Sequence, residues 1–161
     1  MSRTTLELKL TINGAEKTFE VSPDDRLSAV LRREGYVGVK VGCNTGDCGT
    51  CTVLLEGEPV VSCLMLAAQA QGAALTTVEG LSQDKTLHPL QVAFLDEGAV
   101  QCGFCTPGML LSAEALLHNV PDPSEEQVRE ALAGNLCRCT GYERPVQAVL
   151  HAAKIAKEAG A

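Results

Sequence analysis

The sequence has almost no aromatic side chains: two Tyr, three Phe and no Trp among 161 residues. Without large rings to fill volume, the interior must rely on Leu, Val and Ala, and 45% hydrophobic content suffices for one or two small cores. Basic residues are also short. Thirteen Lys and Arg against twenty Asp and Glu leave a net charge of −7 and a pI near 4.9. A surface of that sign repels phosphate backbones and excludes nucleic-acid binding as the main task. No apolar run reaches the roughly eighteen residues of a membrane span. The N-terminus shows no basic-then-apolar pattern and no twin Arg, so the expected location is cytoplasmic. Also missing are a Ser/His/Asp constellation, paired catalytic carboxylates and a phosphate-binding Gly loop between a strand and a helix.

What the sequence has is cysteine, eight in all. In a reducing compartment disulfides are disfavoured and metal binding is favoured. The thiols fall as Cys43, Cys48, Cys51, Cys63 and then Cys102, Cys105, Cys137, Cys139, two sets of four with none left over.

Along the chain, Leu6, Leu8, Leu10 and Ile12 alternate with polar residues as a half-buried strand does, and Asn13-Gly14 turns it into a second strand through Phe19 and Val21. Ser22-Pro23-Asp24-Asp25 predicts a helix start, with Leu27, Val30 and Leu31 as its apolar stripe and Gly35 as its end. Residues 42–51 hold three Cys and three Gly, a composition that fits a loop wrapped around a bound group. Thr52–Leu55 and Pro59–Cys63 predict a hairpin turning at Glu56-Gly57-Glu58, Leu64–Ala70 a short helix, and Leu75–Val78 a last strand. Leu64-Met65-Leu66 reads as core. Two strands, a helix and further strands in this order suggest a β-grasp arrangement.

Glu79 to Leu87, including Gln83 and Asp84, reads as a linker, after which the period becomes helical. Helices are expected over Pro89–Glu97, over Pro107–His118 with Thr106 as a candidate cap, from Ser124 (a capping box with Gln127) to near Gly134, and over Pro145 to Lys157. The fold class is therefore α+β. A first domain spans 1–80 and a small helical bundle spans 81–161.

The first cysteine set reads C-x4-C-x2-C-x11-C, the plant-type 2Fe-2S spacing, with a neighbouring strand expected to supply Cys63. A structural zinc site is a poor fit, since zinc usually takes two C-x2-C knuckles. The second set reads C-x2-C-x31-C-x-C, beside expected helix ends whose positive termini favour thiolates. A binuclear iron centre accommodates the C-x-C pair, and zinc stays open for this set taken alone.

Taken together the motifs are more specific. Gly42-Cys43-Asn44-Thr45-Gly46-Asp47-Cys48-Gly49-Thr50-Cys51, Gln101 to Met109, and Gly134-Asn135-Leu136-Cys137-Arg138-Cys139-Thr140-Gly141-Tyr142 resemble the small iron–sulfur subunit of the molybdenum hydroxylases, the xanthine dehydrogenase, aldehyde oxidoreductase and carbon monoxide dehydrogenase family. The resemblance runs from the first strand to the last helix. Thr50 stands where the family usually has Ala, and Val39-Lys40-Val41 is an unusual lead-in; neither falls on a ligand position.

The resemblance implies a plant-ferredoxin-like β-grasp domain and a four-helix bundle, each with one 2Fe-2S cluster. It implies a large subunit carrying molybdenum on a molybdopterin, in the cytosine dinucleotide form, and a medium subunit carrying FAD. The assembly expected is a dimer of heterotrimers. It also implies that the helical-domain cluster lies against the pterin, which Gln101 and Cys139 contact, while the other cluster faces the flavin. The exposed-looking glycine-rich loop of the first domain is free to face the other way from the pterin.

The function expected is electron relay within that complex, with substrate chemistry in another subunit and the substrate itself open. A stand-alone two-cluster ferredoxin is the alternative, and a bundle that buries one cluster counts against it. A zinc-binding scaffold is the third class, separable by colour. His88, His118 and His151 have no Cys partner nearby, so surface or capping roles are favoured. Arg138 offsets cluster charge, pairs with a partner or faces solvent. Tyr142 packs on the cysteine loop or against a partner.

Overall fold

The computed structural model describes residues 4–82 and 86–159. Strand β1 (Leu6–Ile12) pairs antiparallel with β2 (Ala15–Val21) around Asn13-Gly14, both with positive φ as the tight turn requires. Helix α1 (Leu27–Arg33) follows, then β3 (Thr52–Leu55), β4 (Glu58–Val61) and β5 (Ala74–Thr76). The sheet is mixed, in the order β2-β1-β5-β3-β4, with β5 parallel to β1 and antiparallel to β3. Four helices complete the chain: α2 (Pro89–Asp96), α3 (Thr106–Asn119), α4 (Glu125–Leu132) and α5 (Glu143–Ala159).

Two hydrophobic clusters form. The first gathers Leu8, Leu10, Ile12, Leu27, Val30, Leu31, Val53 and Leu75 between the sheet and α1. The second gathers Leu90, Phe94, Met109, Leu111, Val128, Leu132, Val146 and Val149 among the helices. Strand β3 serves both. Successive side chains point to opposite faces, so Val53 joins the first cluster and Leu54 the second. Each fully buried Leu or Phe contributes about 1.5–3 kcal/mol, and the faces of β3 and α3 provide that burial where the two clusters meet.

Several local expectations shift. Helix α1 starts at Leu27, because Ser22 N–H donates to the Asp25 carboxylate and Asp25 N–H to the Ser22 carbonyl, closing a turn ahead of it. Leu6 is 40% exposed, so the buried alternation begins at Leu8. Strand β4 ends at Val61, which leaves Cys63 in a turn rather than in a strand. Ala67–Ala70 and Val78–Gly80 are short 3₁₀ turns. Leu64 and Leu66 are exposed rather than core; Leu64 instead lies against Gly46 of the cysteine loop. Helix α3 begins at Thr106 rather than after it: Cys105 C=O accepts the first helical bond, from Met109 N–H, which puts Cys105 in the cap position, without a side-chain cap. The expected capping box at Ser124 and Gln127 forms on α4. In the expected linker, Leu81 packs into the helical cluster and Glu79 accepts from Gly38 N–H; Gln83 and Asp84 lie outside the described residues.

Candidate metal centres

The first quartet is assembled by the β3–β4 hairpin. Thr52 stands opposite Val61, so the hairpin carries Cys51 and Cys63 to one end of the sheet, where the loop bearing Cys43 and Cys48 curls over them. Cys51 meets Cys63, and Cys43 meets Cys48. Burial, and then the Cys51 thiol, pushes Cys63 up to about 11. Cys43 is lowered to about 6 by the Thr45 hydroxyl and then by the N–H groups of Thr45 and Cys48. Those two N–H groups lie 3.4 Å from its sulfur. The single proton of the Thr45 hydroxyl also has the Asp47 carboxylate beside it, so the two N–H groups are the committed donors to Cys43. The Thr50 hydroxyl lies 3.3 Å from Cys48 Sγ.

The second quartet forms where the N-terminus of α3 meets the connection from α4 to α5. Cys105 meets Cys137, and Cys102 meets Cys139. Burial, and then Cys137, pushes Cys105 up to about 12. Cys102 is lowered, first by the Phe104 N–H and then by Cys139. Cys139 is raised, first by the Cys102 thiol. For Cys137 the largest single influence is burial, which acts upward. The Thr140 hydroxyl and the N–H groups of Thr140 and Cys139 outweigh it and leave the thiol below its ordinary value. Thr140 Oγ1 accepts from Tyr142 N–H at 3.2 Å and lies 3.1 Å from Cys137 Sγ, to which it donates when Cys137 is ionised. Tyr142 packs on this loop: its hydroxyl accepts from Cys137 N–H at 2.9 Å.

Both quartets thus combine thiols meeting in pairs with N–H and O–H donors aimed at sulfur, a setting for an anionic group. Among the described residues, no three His, Cys, Asp or Glu side chains converge as a single-ion site. A tetrahedral zinc needs four sulfurs at about 2.3 Å from one point; paired thiols match a centre with two irons, two thiolates on each. Burial holds the Cys63 and Cys105 protons, so a bound metal would have to displace them.

The two sites touch along one edge. Leu136 N–H donates to the Cys48 carbonyl at 2.9 Å. Asn135 is 2% exposed, and its amide donates to the Gly49 carbonyl at 2.9 Å and to Thr52 Oγ1 at 3.3 Å while accepting from the Ser112 hydroxyl at 2.7 Å. A Cβ on Gly108 would come 2.5 Å from the Gly49 carbonyl oxygen, and one on Gly49 would collide with the Gly134 carbonyl. The first loop is thus divided: Val41, Gly42, Asn44, Thr45 and Asp47 are exposed, while its Cys48-Gly49 edge is covered by the helical region. A correction concerns burial. Cys102 and Cys139 are exposed, with Gln101 and Phe104 exposed beside them, so the second site opens at the surface instead of lying within the bundle.

Arg138 is exposed. His88 caps α2 through Nδ1, which accepts from Leu90 N–H, and His151 lies 3.0 Å from Glu97. Sequence reasoning missed Asn135, Ser112 and Gly108, whose partners are more than twenty residues away. Thr50 lies two residues from Cys48 and Thr140 three from Cys137, the sulfurs their hydroxyls contact, a spacing that could have flagged these roles.

Residues 10–77 match the family described as 2Fe-2S iron-sulfur cluster binding domain, and residues 77–150 the 2Fe-2S binding domain. The chain is 47% identical over 148 residues to the nicotinate dehydrogenase small FeS subunit of Eubacterium barkeri, covering 91% of this chain and 94% of that one. The chain belongs to the iron–sulfur small-subunit family of the molybdenum hydroxylases. It is also 50% identical to the nicotine 6-hydroxylase small subunit of Paenarthrobacter nicotinovorans, over 91% of this chain and 89% of that one. The crystal structure of quinoline 2-oxidoreductase from Pseudomonas putida 86 superposes with a TM-score of 0.93 at 46% identity, covering 98% of both chains.

Proposed function

We propose that this chain is the electron-transfer subunit of a molybdenum hydroxylase, with substrate chemistry in a partner subunit. The observation that carries this is the pair of complete thiol quartets, docked edge to edge and lined with donors to sulfur. In this reading Cys43, Cys48, Cys51 and Cys63 hold one 2Fe-2S cluster and Cys102, Cys105, Cys137 and Cys139 the other. When bound, such clusters each exchange one electron at a time. The residues contribute negative ligands, N–H and O–H donors that stabilise added charge, and a shared wall that fixes the two sites relative to each other.

The finer architecture belongs to the same proposal. The sheet with α1 is a β-grasp domain over 1–80, and α2 to α5 form a four-helix bundle over 81–161. Molybdopterin, as the cytosine dinucleotide, sits in a large subunit and FAD in a medium one, in a cytoplasmic dimer of heterotrimers. Gln101 and Cys139 face the pterin, and the first quartet serves the flavin side. Support for the pterin side comes from the exposure of Gln101, Cys102 and Cys139 and of the apolar Phe104 in the same segment. Phe104 and Leu136, each next to a cysteine of this quartet, are 47% and 54% exposed, and exposed large apolar side chains beside a site are what a contact surface offers. The free-ferredoxin alternative leaves that surface without a partner.

The test is to purify the chain with whatever subunits accompany it and measure iron, acid-labile sulfide, molybdenum and flavin. About four irons and four sulfides per chain are expected, with larger subunits carrying molybdenum and flavin. A colourless preparation with zinc and no sulfide overturns the cluster reading. A stable isolated chain with both clusters and no partner overturns the subunit reading.

A further inference from the structure

The first site contains one hydrogen bond to sulfur that comes from a side chain with nothing else to do. Thr50 is 5% exposed, and among the described residues its hydroxyl has a single partner, Cys48 Sγ at 3.3 Å. The Gly42 backbone passes over the pair so closely that a Cβ there would lie 2.7 Å from Cys48 Sγ and 2.9 Å from Thr50 Oγ1. The hydroxyl is thereby fenced against that sulfur. Cys43 Sγ receives two backbone N–H groups, whereas for Cys48 Sγ the hydroxyl is the one N–H or O–H donor among the described residues. With Cys48 ionised, the sulfur accepts and the hydroxyl donates.

We infer that Thr50 is a positioning residue whose hydroxyl, acting through Cys48, sets the reduction potential of the first site above the value it would have without that bond. The inference rests on the cluster reading above. A ligand sulfur carries more negative charge after one electron is added than before. A fixed donor therefore stabilises the reduced state more than the oxidised one, and burial strengthens the effect. The second site has its own hydroxyl donor, Thr140 on Cys137, so the two potentials are set by different side chains.

The experiment is a redox titration of the intact complex, with both clusters followed by electron paramagnetic resonance, in the wild type and in Thr50→Val, Thr50→Ala and Thr50→Ser. Valine keeps the shape of threonine and removes the donor. Valine and alanine should each lower the potential of the first cluster by an amount equivalent to roughly a tenfold change in its reduction equilibrium, about 59 mV for one electron. Serine should restore most of the shift, and the second cluster should not move in any variant. Unchanged potentials in the variants without a hydroxyl overturn the inference. A serine variant shifted as far as valine also overturns it, since packing would then be the cause. If valine does not retain the cluster, the alanine–serine difference decides on the same terms. Iron and sulfide analysis of the wild type separates the two levels: zinc without sulfide removes the cluster reading and this inference together, while clusters with unmoved potentials remove this inference alone.

Discussion

Cys51 and Cys63 of the first quartet are 3% and 4% exposed, whereas in the second Cys102 and Cys139 lie at the surface and only Cys105 is buried. Each quartet pairs its thiols and presents donors to them. The difference lies in what closes the site. The first is covered on three sides by its own chain, the hairpin beneath, Leu64 over Gly46, and the 134–136 segment against Cys48 and Gly49, with Cys43 and Cys48 half-buried at the remaining edge. The second is left open on the side of Gln101 and Phe104. Ligand spacing alone does not distinguish an enclosed site from an open one, because enclosure is decided by contacts distant in sequence.

The largest expected effects come from the ligands. Cys48→Ser should remove or alter the first centre and Cys137→Ser the second, each with loss of about half of the iron, since each quartet would hold two irons. Iron analysis and paramagnetic resonance of the reduced complex check this. If either substitution changed both signals equally, the division into two quartets would be wrong.

Gly108→Ala sharpens the comparison at the wall between the sites. By helix propensity alone, alanine inside α3 should stabilise by about 1 kcal/mol. The close approach of the Gly49 carbonyl predicts the opposite, because that neighbour is backbone and the second, the Asn135 amide at 2.9 Å, is held by its own hydrogen bonds to Gly49 and Ser112. The expected result is a loss of about 1–3 kcal/mol, in the range for overpacked sites, with the first centre perturbed although the substitution lies in the helical region. Denaturant unfolding measures the sign, and a stabilised variant would mean that the wall is looser than described.

Asn135→Ala should follow with a loss of about 2 kcal/mol. It removes a buried amide and leaves the Gly49 carbonyl and Ser112 hydroxyl without that partner. Asn135→Asp is the useful companion. It keeps the acceptor for Ser112 but loses the donor to Gly49, and should be no better than alanine if the Gly49 bond carries the docking.

Both cysteine quartets, the capping box at Ser124 and the switch from strand to helix period were legible in the sequence, because each rests on residues close in the chain or on a periodic pattern. The helix start at Leu27 was not, since Ser22 and Asp25 serve equally well in a turn and in a cap. Leu64 and Leu66 misled in the same way: an apolar triplet carries no sign of which neighbours it covers, and here Leu64 shields a loop. The role of Asn135 could not be read, because Gly49 lies 86 residues away and nothing local marks the amide as a strut. Strand β3 looked like an ordinary hairpin arm, and only the packing of α3 on its second face explains why Thr52, Val53 and Leu54 are all buried.

The smallest effect should come from Tyr142→Phe, and it is the one confined to the open site. The Tyr142 hydroxyl accepts from Cys137 N–H, and its backbone N–H donates to Thr140 Oγ1, which in turn donates to Cys137 Sγ. Phenylalanine keeps the ring against the helical cluster and keeps the backbone link to Thr140, so the sulfur retains its hydroxyl donor. What is lost is one hydrogen bond on a part-buried N–H, worth about 1 kcal/mol. The Cys137 amide should therefore exchange roughly fivefold faster, the factor that about 1 kcal/mol corresponds to at room temperature. The loop at 43–51 should exchange as before, because the Leu136 and Asn135 contacts to it are untouched. The paramagnetic signal of the second centre should broaden slightly and that of the first should not. Faster exchange in both loops would show that the two sites are one cooperative unit, and the contrast between an enclosed and an open site would then be one of exposure without independent local stability.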